Sequence, residues 1–234
     1  VCISGGAPMP AEVKTRFEER TGAKLVEGYG LTESSGVVST NPYEGLNKPG
    51  TIGQPIPGTI VRLVDKEDPT KPPAEGEPGE IIVSGPQIMK GYWNRPEADA
   101  DAFINGWLRT GDVGLIDEDG YIRIVDRLKD MIAVSGFKVF PSQIEAILYR
   151  HEAVKEALVI GTPDPYAGER PKAFVTLQEG AAVSGEALMP WLNEQLGKHE
   201  RVAAVEIRDS LPKTMIGKLS RKELQAEERA KAGA

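Results

Sequence analysis

The sequence predicts an α/β fold with an appended β-rich unit, followed by a small α+β domain. Three changes of pattern along the chain support this prediction. The first stretch, up to about residue 40, alternates strand, helix and strand, whereas residues 50–125 contain short β-rich runs between glycines and prolines. From residue 128 onward, helices and strands alternate again. We therefore predict two domains, covering residues 1–127 and 128–234.

The α/β stretch opens with Val1–Ser4, which has the apolar character of a buried strand. A helix is predicted for Ala11–Arg20, because Pro10 suits its first turn. Lys24–Tyr29 follows as a strand, and the order strand–helix–strand favours a parallel sheet. A chain that begins inside a core strand is expected to be part of a longer protein.

The β-rich unit is predicted to contain short strands at Thr59–Val64, Glu80–Val83, Val113–Ile116 and Tyr121–Val125. The last two strands flank Asp117–Gly120, a sequence typical of a hairpin turn. Asp68–Gly79, rich in proline and glutamate, is expected to be an exposed loop.

The second domain is predicted to contain strands at Met131–Val134, Lys138–Phe140, Ala157–Ile160, Lys172–Leu177 and Val205–Arg208. Pro141 is expected to open a helix. Another helix is predicted for about Gly185–Leu196, with Pro190 interrupting its pattern, and a polar helix for Arg221–Ala230.

Composition excludes several classes of protein. The net charge of −7 argues against a broad nucleic-acid-binding surface. Cys2 is the only cysteine, so an internal disulfide and a cysteine-rich metal site are both excluded. No apolar run approaches the roughly 20 residues of a membrane helix. Without a secretion signal at the start, a cytoplasmic location is expected.

Two glycine-rich turns follow strands, at Ser4–Pro8 and Gly28–Glu33. A dinucleotide fingerprint requires glycine at the position of Glu33, and a Walker-type Gly-Lys-Ser/Thr is also lacking. Each turn alone is equally well explained as a sharp strand-to-loop connection. The second turn offers more, because Thr32 and Glu33 supply a hydroxyl and a carboxylate, and a carboxylate suits Mg²⁺.

Three further segments are ambiguous when each is taken alone. Asp112 fits a turn or cap better than a ribose ligand. Asp126-Arg127 likewise fits a surface ion pair better than a ligand site, and the lysines of Pro212–Lys218 are compatible with ordinary solvated side chains.

Taken together and in this order, the motifs resemble the adenylate-forming enzyme superfamily. They are Gly28-Tyr29-Gly30-Leu31-Thr32-Glu33, Arg109-Thr110-Gly111-Asp112, Asp126-Arg127-Leu128-Lys129-Asp130, Ser135-Gly136-Phe137-Lys138-Val139 and Pro212-Lys213-Thr214 with Gly217-Lys218. Within that superfamily the sequence is most similar to bacterial long-chain fatty acid–CoA ligases, as connecting segments such as Asn41-Pro42-Tyr43 also indicate.

The resemblance implies that a fatty carboxylate attacks the α-phosphate of ATP, and that CoA then displaces AMP. It implies an adenine site bordered by Gly6, Ala7 and Tyr29, with Gly30 in the same nucleotide-binding turn. Further roles follow by resemblance: α-phosphate contact for Thr32, Mg²⁺ for Glu33, ribose for Asp112 and Arg127, and adenylation catalysis for Lys218 with Thr32 and Glu33.

For thioester formation, the resemblance implies a mobile C-terminal domain that rotates about Lys129. Ser135, Gly136 and Phe137 would then line the path of CoA. Residues 1–127 would form an incomplete end of the large AMP-binding domain. The Ser/Thr/Gly-rich phosphate loop of the family does not occur in this sequence, so the chain alone is expected to be inactive.

Alternatives remain at this point. An aryl-CoA ligase or another adenylate-forming enzyme would share these motifs, and a non-catalytic nucleotide- or acyl-binding fragment is a further reading. His199-Glu200-Arg201 departs from the family's Tyr-Lys-x-Pro-like pattern, and His199 is expected to be a surface residue. Expected partners are fatty acid, ATP and CoA but no nucleic acid. A peripheral membrane contact during substrate uptake, acyl chain length and oligomeric state are left open.

Overall fold

The computed structural model describes residues 1–6, 9, 11–215 and 217–232. They divide into two compact units, Val1–Leu128 and Lys129–Ala234. This division lies one residue after the position that we predict from the sequence. Each unit has its own sheets and apolar clusters and is described by itself.

The first unit begins with a sheet in the order β1 (Cys2–Ser4), β2 (Leu25–Leu31), β3 (Gly36–Thr40) and β4 (Gln54–Pro55). Helix α1 (Ala11–Thr21) connects β1 to β2, and these two strands are parallel, as predicted. The β2–β3 and β3–β4 pairs are antiparallel.

A second sheet of the first unit is antiparallel and contains β5 (Ile60–Val64), β6 (Gly79–Ser84), β7 (Phe103–Ile104), β8 (Trp107–Ile116) and β9 (Ile122–Arg127). The Asp117–Gly120 turn joins β8 to β9, and Gly120 adopts φ +78° with its N–H bonded to the Asp117 carbonyl. The predicted hairpin is confirmed. Helix α2 (Pro96–Ala102) was missed because it is short, polar and buries no side chain, so it lacks an amphipathic signal.

Strand β8 starts six residues before the predicted strand. Glu80 and Ile82 of β6, which are two positions apart, pair with Val113 and Arg109 of β8, which are four positions apart. The extra residues form a β-bulge around Gly111, whose φ of +70° favours glycine. The sequence suggested a turn before a strand, whereas the structure has a bulge inside one.

The second unit contains strands β10 (Ile132–Val134), β11 (Phe137–Val139), β12 (Val154–Asp164), β13 (Gly168–Leu177) and β14 (Ala204–Ile207). Their order is β11-β10-β13-β12, and β14 pairs parallel with β13. The helices are α3 (Pro141–Leu148), α4 (Gly185–Asn193) and α5 (Arg221–Ala232). Helix α4 contains Pro190, as predicted, and it ends three residues earlier than predicted.

Helices pack on both faces of this sheet. Ala173 and Val175 of β13 belong to an apolar cluster with Ile144 of α3 and Leu188 of α4. Phe174, between them, belongs to a separate cluster with Leu224 of α5 and other residues. Successive side chains of a strand face opposite sides, which explains why α5 covers one face and α3 with α4 the other. In the described part of the chain, no helix combines the length and apolar character needed to cross a membrane.

Candidate functional site

Three predicted site residues of the first unit form one hydrogen-bonded chain. The Tyr29 hydroxyl of β2 donates to Asp112 Oδ2 at 2.5 Å, and Arg127 Nε of β9 donates to Asp112 Oδ1 at 2.8 Å. Asp112 and Arg127 are direct partners in the β8–β9 register. Arg127 therefore forms an ion pair with Asp112 across the sheet. Asp126 is buried, and its Oδ1 accepts the backbone N–H of Arg127.

The three hydrogen-bonded side chains differ in how deeply they are buried. Tyr29 and Asp112 are 9% and 5% exposed, while the Arg127 side chain is 46% exposed. Burial, followed by the charge of Asp112 and its hydrogen bond, raises the pKa of the Tyr29 hydroxyl well above its usual value. Tyr29 therefore stays a neutral hydrogen-bond donor, and Arg127 is the most exposed of the three side chains.

Glu80 supports the bulge that carries Asp112, and sequence reasoning assigned it no role. Its Oε2 accepts from Arg109 Nη2 at 2.6 Å, and its Oε1 accepts the Gly111 backbone N–H at 3.2 Å. Glu80 is 1% exposed. The signal was visible: a glutamate stands directly before the apolar Ile81–Val83 of a strand, where a charge requires a partner.

The Gly28–Glu33 turn divides into a strand end and a short 3₁₀ helix, Thr32–Ser34. Ser34 is fully buried, and its Oγ accepts the Leu31 N–H and donates to backbone carbonyls, which fixes the turn. Thr32 is exposed and Glu33 half-buried. The chain thus holds the Thr32 hydroxyl and the Glu33 carboxylate at the surface end of β2.

Gly30 has a packing reason to be glycine. A Cβ at this position would lie 1.8 Å from the Gly36 carbonyl oxygen of β3, so no larger residue fits between the strands. Gly6 is exposed and adopts φ +80°. Ala7, the other predicted adenine neighbour, lies outside the described residues.

In the second unit, Ser135 and Gly136 form the two-residue loop between β10 and β11. Their φ values of +51° and +83° are both left-handed, as in a type I′ hairpin turn, and Val134 pairs with Phe137 across it. Phe137 is 55% exposed, and its ring stacks on His199 with centroids 3.7 Å apart. The departure at His199 therefore supplies the aromatic neighbour of Phe137. Lys129 is exposed in the 3₁₀ helix Leu128–Asp130.

Lys218 lies in a closed loop that precedes α5. Thr214 N–H donates to the Lys218 carbonyl at 2.7 Å, and the Thr214 side chain accepts the Lys218 N–H at 3.2 Å. Gly217 adopts φ +80°, and Lys213 pairs with Leu219 in an antiparallel bridge. The backbone of the loop is thus fixed while the Lys218 residue is exposed.

Arg221 anchors the end of this loop and was not predicted as a site residue. Its Nη2 binds both carboxylate oxygens of Glu145 at 2.6 and 2.7 Å, and its Nη1 reaches Asp130 at 3.3 Å. Nε donates to the Val159 carbonyl at 3.1 Å. Arg221 is the first residue of α5 and follows Lys218 by three positions. It ties the lysine loop to α3, to β12 and to the segment that contains Lys129.

Two family models match the chain in sequence order. The model of the AMP-binding enzyme matches residues 1–93, and that of the AMP-binding enzyme C-terminal domain matches residues 143–218. The chain belongs to the AMP-binding enzyme family. The resemblance to adenylate-forming enzymes and the predicted α/β fold class are thereby confirmed.

Curated relatives of this AMP-binding family member include two CoA ligases. The long-chain-fatty-acid–CoA ligase of Bacillus subtilis (strain 168) is 48% identical over 227 residues, which are 97% of this chain and 40% of the relative. The feruloyl-CoA synthase of an Amycolatopsis species is 42% identical over 224 residues, 95% of this chain and 45% of the relative. The chain thus spans less than half the length of either relative.

Among solved structures, ATP-bound MatB from Rhodopseudomonas palustris matches with a TM-score of 0.91 at 36% sequence identity. The match covers 96% of this chain and 44% of MatB. The fold of the AMP-binding family member is therefore shared with a structure that holds ATP.

Proposed function

We propose that the full-length protein containing this chain is an ATP-dependent fatty acid–CoA ligase. In the first reaction a fatty carboxylate and ATP give acyl-AMP and pyrophosphate, and in the second the acyl group passes to the CoA thiol. The observation that carries the proposal is the Tyr29–Asp112–Arg127 chain, in which three motifs far apart in sequence meet through direct hydrogen bonds.

In the nucleotide site that we propose, the hydrogen-bonded side chains of Tyr29, Asp112 and Arg127 lie at the end that binds ribose. Asp112 is held from two sides, so its carboxylate has a fixed orientation and can accept from ribose hydroxyls with its remaining lone pairs. Arg127 presents the rest of its guanidinium beside it. Tyr29, Gly6 and Ala7 border adenine in this proposal, Gly30 contributes close-packed backbone, and Thr32 donates to the α-phosphate.

Mg²⁺ is the metal that we propose for Glu33. The described residues contain no group of three or more His, Cys, Asp or Glu side chains that could hold a metal ion. Mg²⁺ does not require such a cage, because it commonly binds one or two carboxylates together with substrate phosphates and water. The half-buried Glu33, next to Thr32, fits that donor set, and the bound ion would neutralise phosphate charge.

Lys218 is the residue that we propose for adenylation. Attack of a carboxylate on a phosphate brings like charges together, so a fixed cation at the reacting oxygens stabilises the transition state. The closed Thr214–Lys218 loop holds the lysine backbone in place and thereby limits the reorganisation that the reaction requires.

Lys129 is proposed as the hinge for the second reaction, which needs CoA to reach the acyl group past Ser135, Gly136 and Phe137. Lys129→Pro is expected to spare adenylation and to lower thioester formation on the order of 100-fold, because proline fixes φ where a torsion must change. Pyrophosphate exchange and acyl-CoA release, measured separately in the full-length protein, distinguish the two steps.

The matched control for this substitution is Glu118→Pro. Glu118 occupies the second position of the Asp117–Gly120 turn, where proline is tolerated, and both reactions should proceed normally. Equal loss of both reactions in Lys129→Pro would remove the hinge assignment.

The proposed function is tested with full-length protein, ATP, CoA and a panel of carboxylic acids. Pyrophosphate exchange and thioester formation are expected with long-chain fatty acids. An aryl-CoA ligase is the second candidate, favoured by the 42% identity to a feruloyl-CoA synthase. Activity with hydroxycinnamic acids and none with fatty acids would decide for that candidate, and no exchange with any acid would refute both.

A further inference from the structure

Tyr92 lies directly against the Glu33 carboxylate, although no motif of the sequence drew attention to it. Its hydroxyl donates to Glu33 Oε1 at 2.8 Å. Tyr92 stands in the connection between β6 and α2, 59 positions from Glu33 along the chain, and is 38% exposed. The contact is thus a tertiary one between two surface segments of the first unit.

The same connection also holds the backbone of Glu33. The Met89 N–H donates to the Glu33 carbonyl at 2.8 Å. Two hydrogen bonds from residues 89–92 therefore fix Glu33, one at its main chain and one at its side chain. A carboxylate held in this way loses much of its rotational freedom before any ligand arrives.

Tyr92 is itself fixed by α2. Its backbone N–H donates to Asp99 Oδ1 at 2.7 Å. The preceding residue, Gly91, adopts φ +152°, and a Cβ there would lie 2.5 Å from Asp99 Oδ2. A side chain at position 91 would therefore displace the Asp99 carboxylate from its present position. Asp99 of α2 thus positions Tyr92, and Tyr92 in turn positions Glu33.

We propose that Tyr92 is a positioning residue for a divalent cation at Glu33. Its hydroxyl binds Oε1 and thereby orients the carboxylate so that Oε2 is the oxygen offered to the ion. This inference rests on the proposed magnesium role of Glu33. Groups that hydrogen-bond a metal-ligating carboxylate fix its orientation, and their loss commonly weakens metal binding about tenfold or more.

The test is Mn²⁺ binding to the full-length protein, followed by electron paramagnetic resonance in the presence of a non-hydrolysable ATP analogue. Tyr92→Phe removes the hydroxyl and keeps the ring, and we expect it to weaken Mn²⁺ binding about tenfold. In the ligase assay, the Mg²⁺ concentration for half-maximal rate should rise by a similar factor, and saturating Mg²⁺ should restore the rate.

Tyr43→Phe is the control, because Tyr43 is also an exposed tyrosine of the first unit, 48% exposed, and its ring lies against Lys24. It should leave Mn²⁺ affinity unchanged, and both variants should melt at the wild-type temperature. Glu33→Gln distinguishes the positioning role of Tyr92 from the magnesium role of Glu33. If Glu33→Gln weakens Mn²⁺ binding and Tyr92→Phe does not, the positioning role is overturned and the magnesium assignment stands. If neither variant changes the affinity, both are overturned.

Discussion

Lys218→Ala is expected to lower fatty-acid-dependent pyrophosphate exchange in the full-length protein by about 10²- to 10³-fold. Removal of one preorganised group that stabilises transition-state charge typically costs about 3–4 kcal/mol. The folded loop should persist, because the Thr214–Lys218 backbone hydrogen bond, the Thr214 side chain and the Lys213–Leu219 bridge all remain in the variant. Isotope exchange between pyrophosphate and ATP measures the effect directly.

Lys222→Ala is the matched control for this loss. Lys222 is exposed on α5, four positions after Lys218. Its replacement by alanine removes the same charge from the same region. Its exchange rate should stay close to that of wild type. A Lys218→Ala protein that retained full exchange would refute the adenylation role, whereas equal losses in both variants would indicate a general effect of charge.

Arg221→Met is expected to lower the stability of the second unit substantially. The Arg221 side chain is 18% exposed and faces Glu145 and Asp130, which are 12% and 13% exposed. Removing the guanidinium takes the Arg221 cation away from two partly buried carboxylates, which is expected to lower the free energy of unfolding by about 2–3 kcal/mol, less than the loss typical of a fully buried pair. Urea unfolding of the chain measures this change.

Trp191 of α4 is a suitable reporter, because the other tryptophans, Trp93 and Trp107, belong to the first unit and can be replaced by phenylalanine. Lys222→Met, an exposed neighbour, should change the free energy of unfolding by less than about 0.5 kcal/mol. Adding Glu145→Gln to Arg221→Met should restore part of the loss, because one uncompensated charge is then removed. An Arg221→Met protein as stable as wild type would show that the network contributes nothing.

Arg221 also bears on how the lysine is presented. The lysine loop ends at the residue that binds Glu145 of α3, Asp130 and the Val159 carbonyl of β12. A loop joined to the sheet at this point moves with its unit as one body. For a domain proposed to rotate between two reactions, such an anchor keeps Lys218 in a constant position relative to Lys129.

Local pattern was sufficient for most elements. The strand–helix–strand start, the Asp117–Gly120 hairpin and the alternating strands of the second unit depend on residues close in sequence, so periodicity and turn residues determined them. The motif residues were recognisable for the same reason, because each motif is a short run. Several short elements were missed, among them β3, β4, α2 and β7, of which α2 has no buried side chain.

Tertiary structure alone decided which of these residues meet. Asp112 looked like a turn residue because Gly111 precedes it, but the bulge places it within β8, between Tyr29 and Arg127. Arg127 forms an ion pair with Asp112, its partner across the sheet. Strand register and long-range hydrogen bonds set these pairings, and neither can be read from sequence spacing.

The sequence by itself determined the family, the two-part organisation and the identity of the motif residues, because those reside in local runs of the chain. The sequence did not reveal which other residues hold the motif residues in place. Glu80 beneath the bulge, Tyr92 on Glu33 and Arg221 behind the lysine loop each act across 29 or more positions. A side chain that acts through such a contact acquires its role only when folding brings its partner to it.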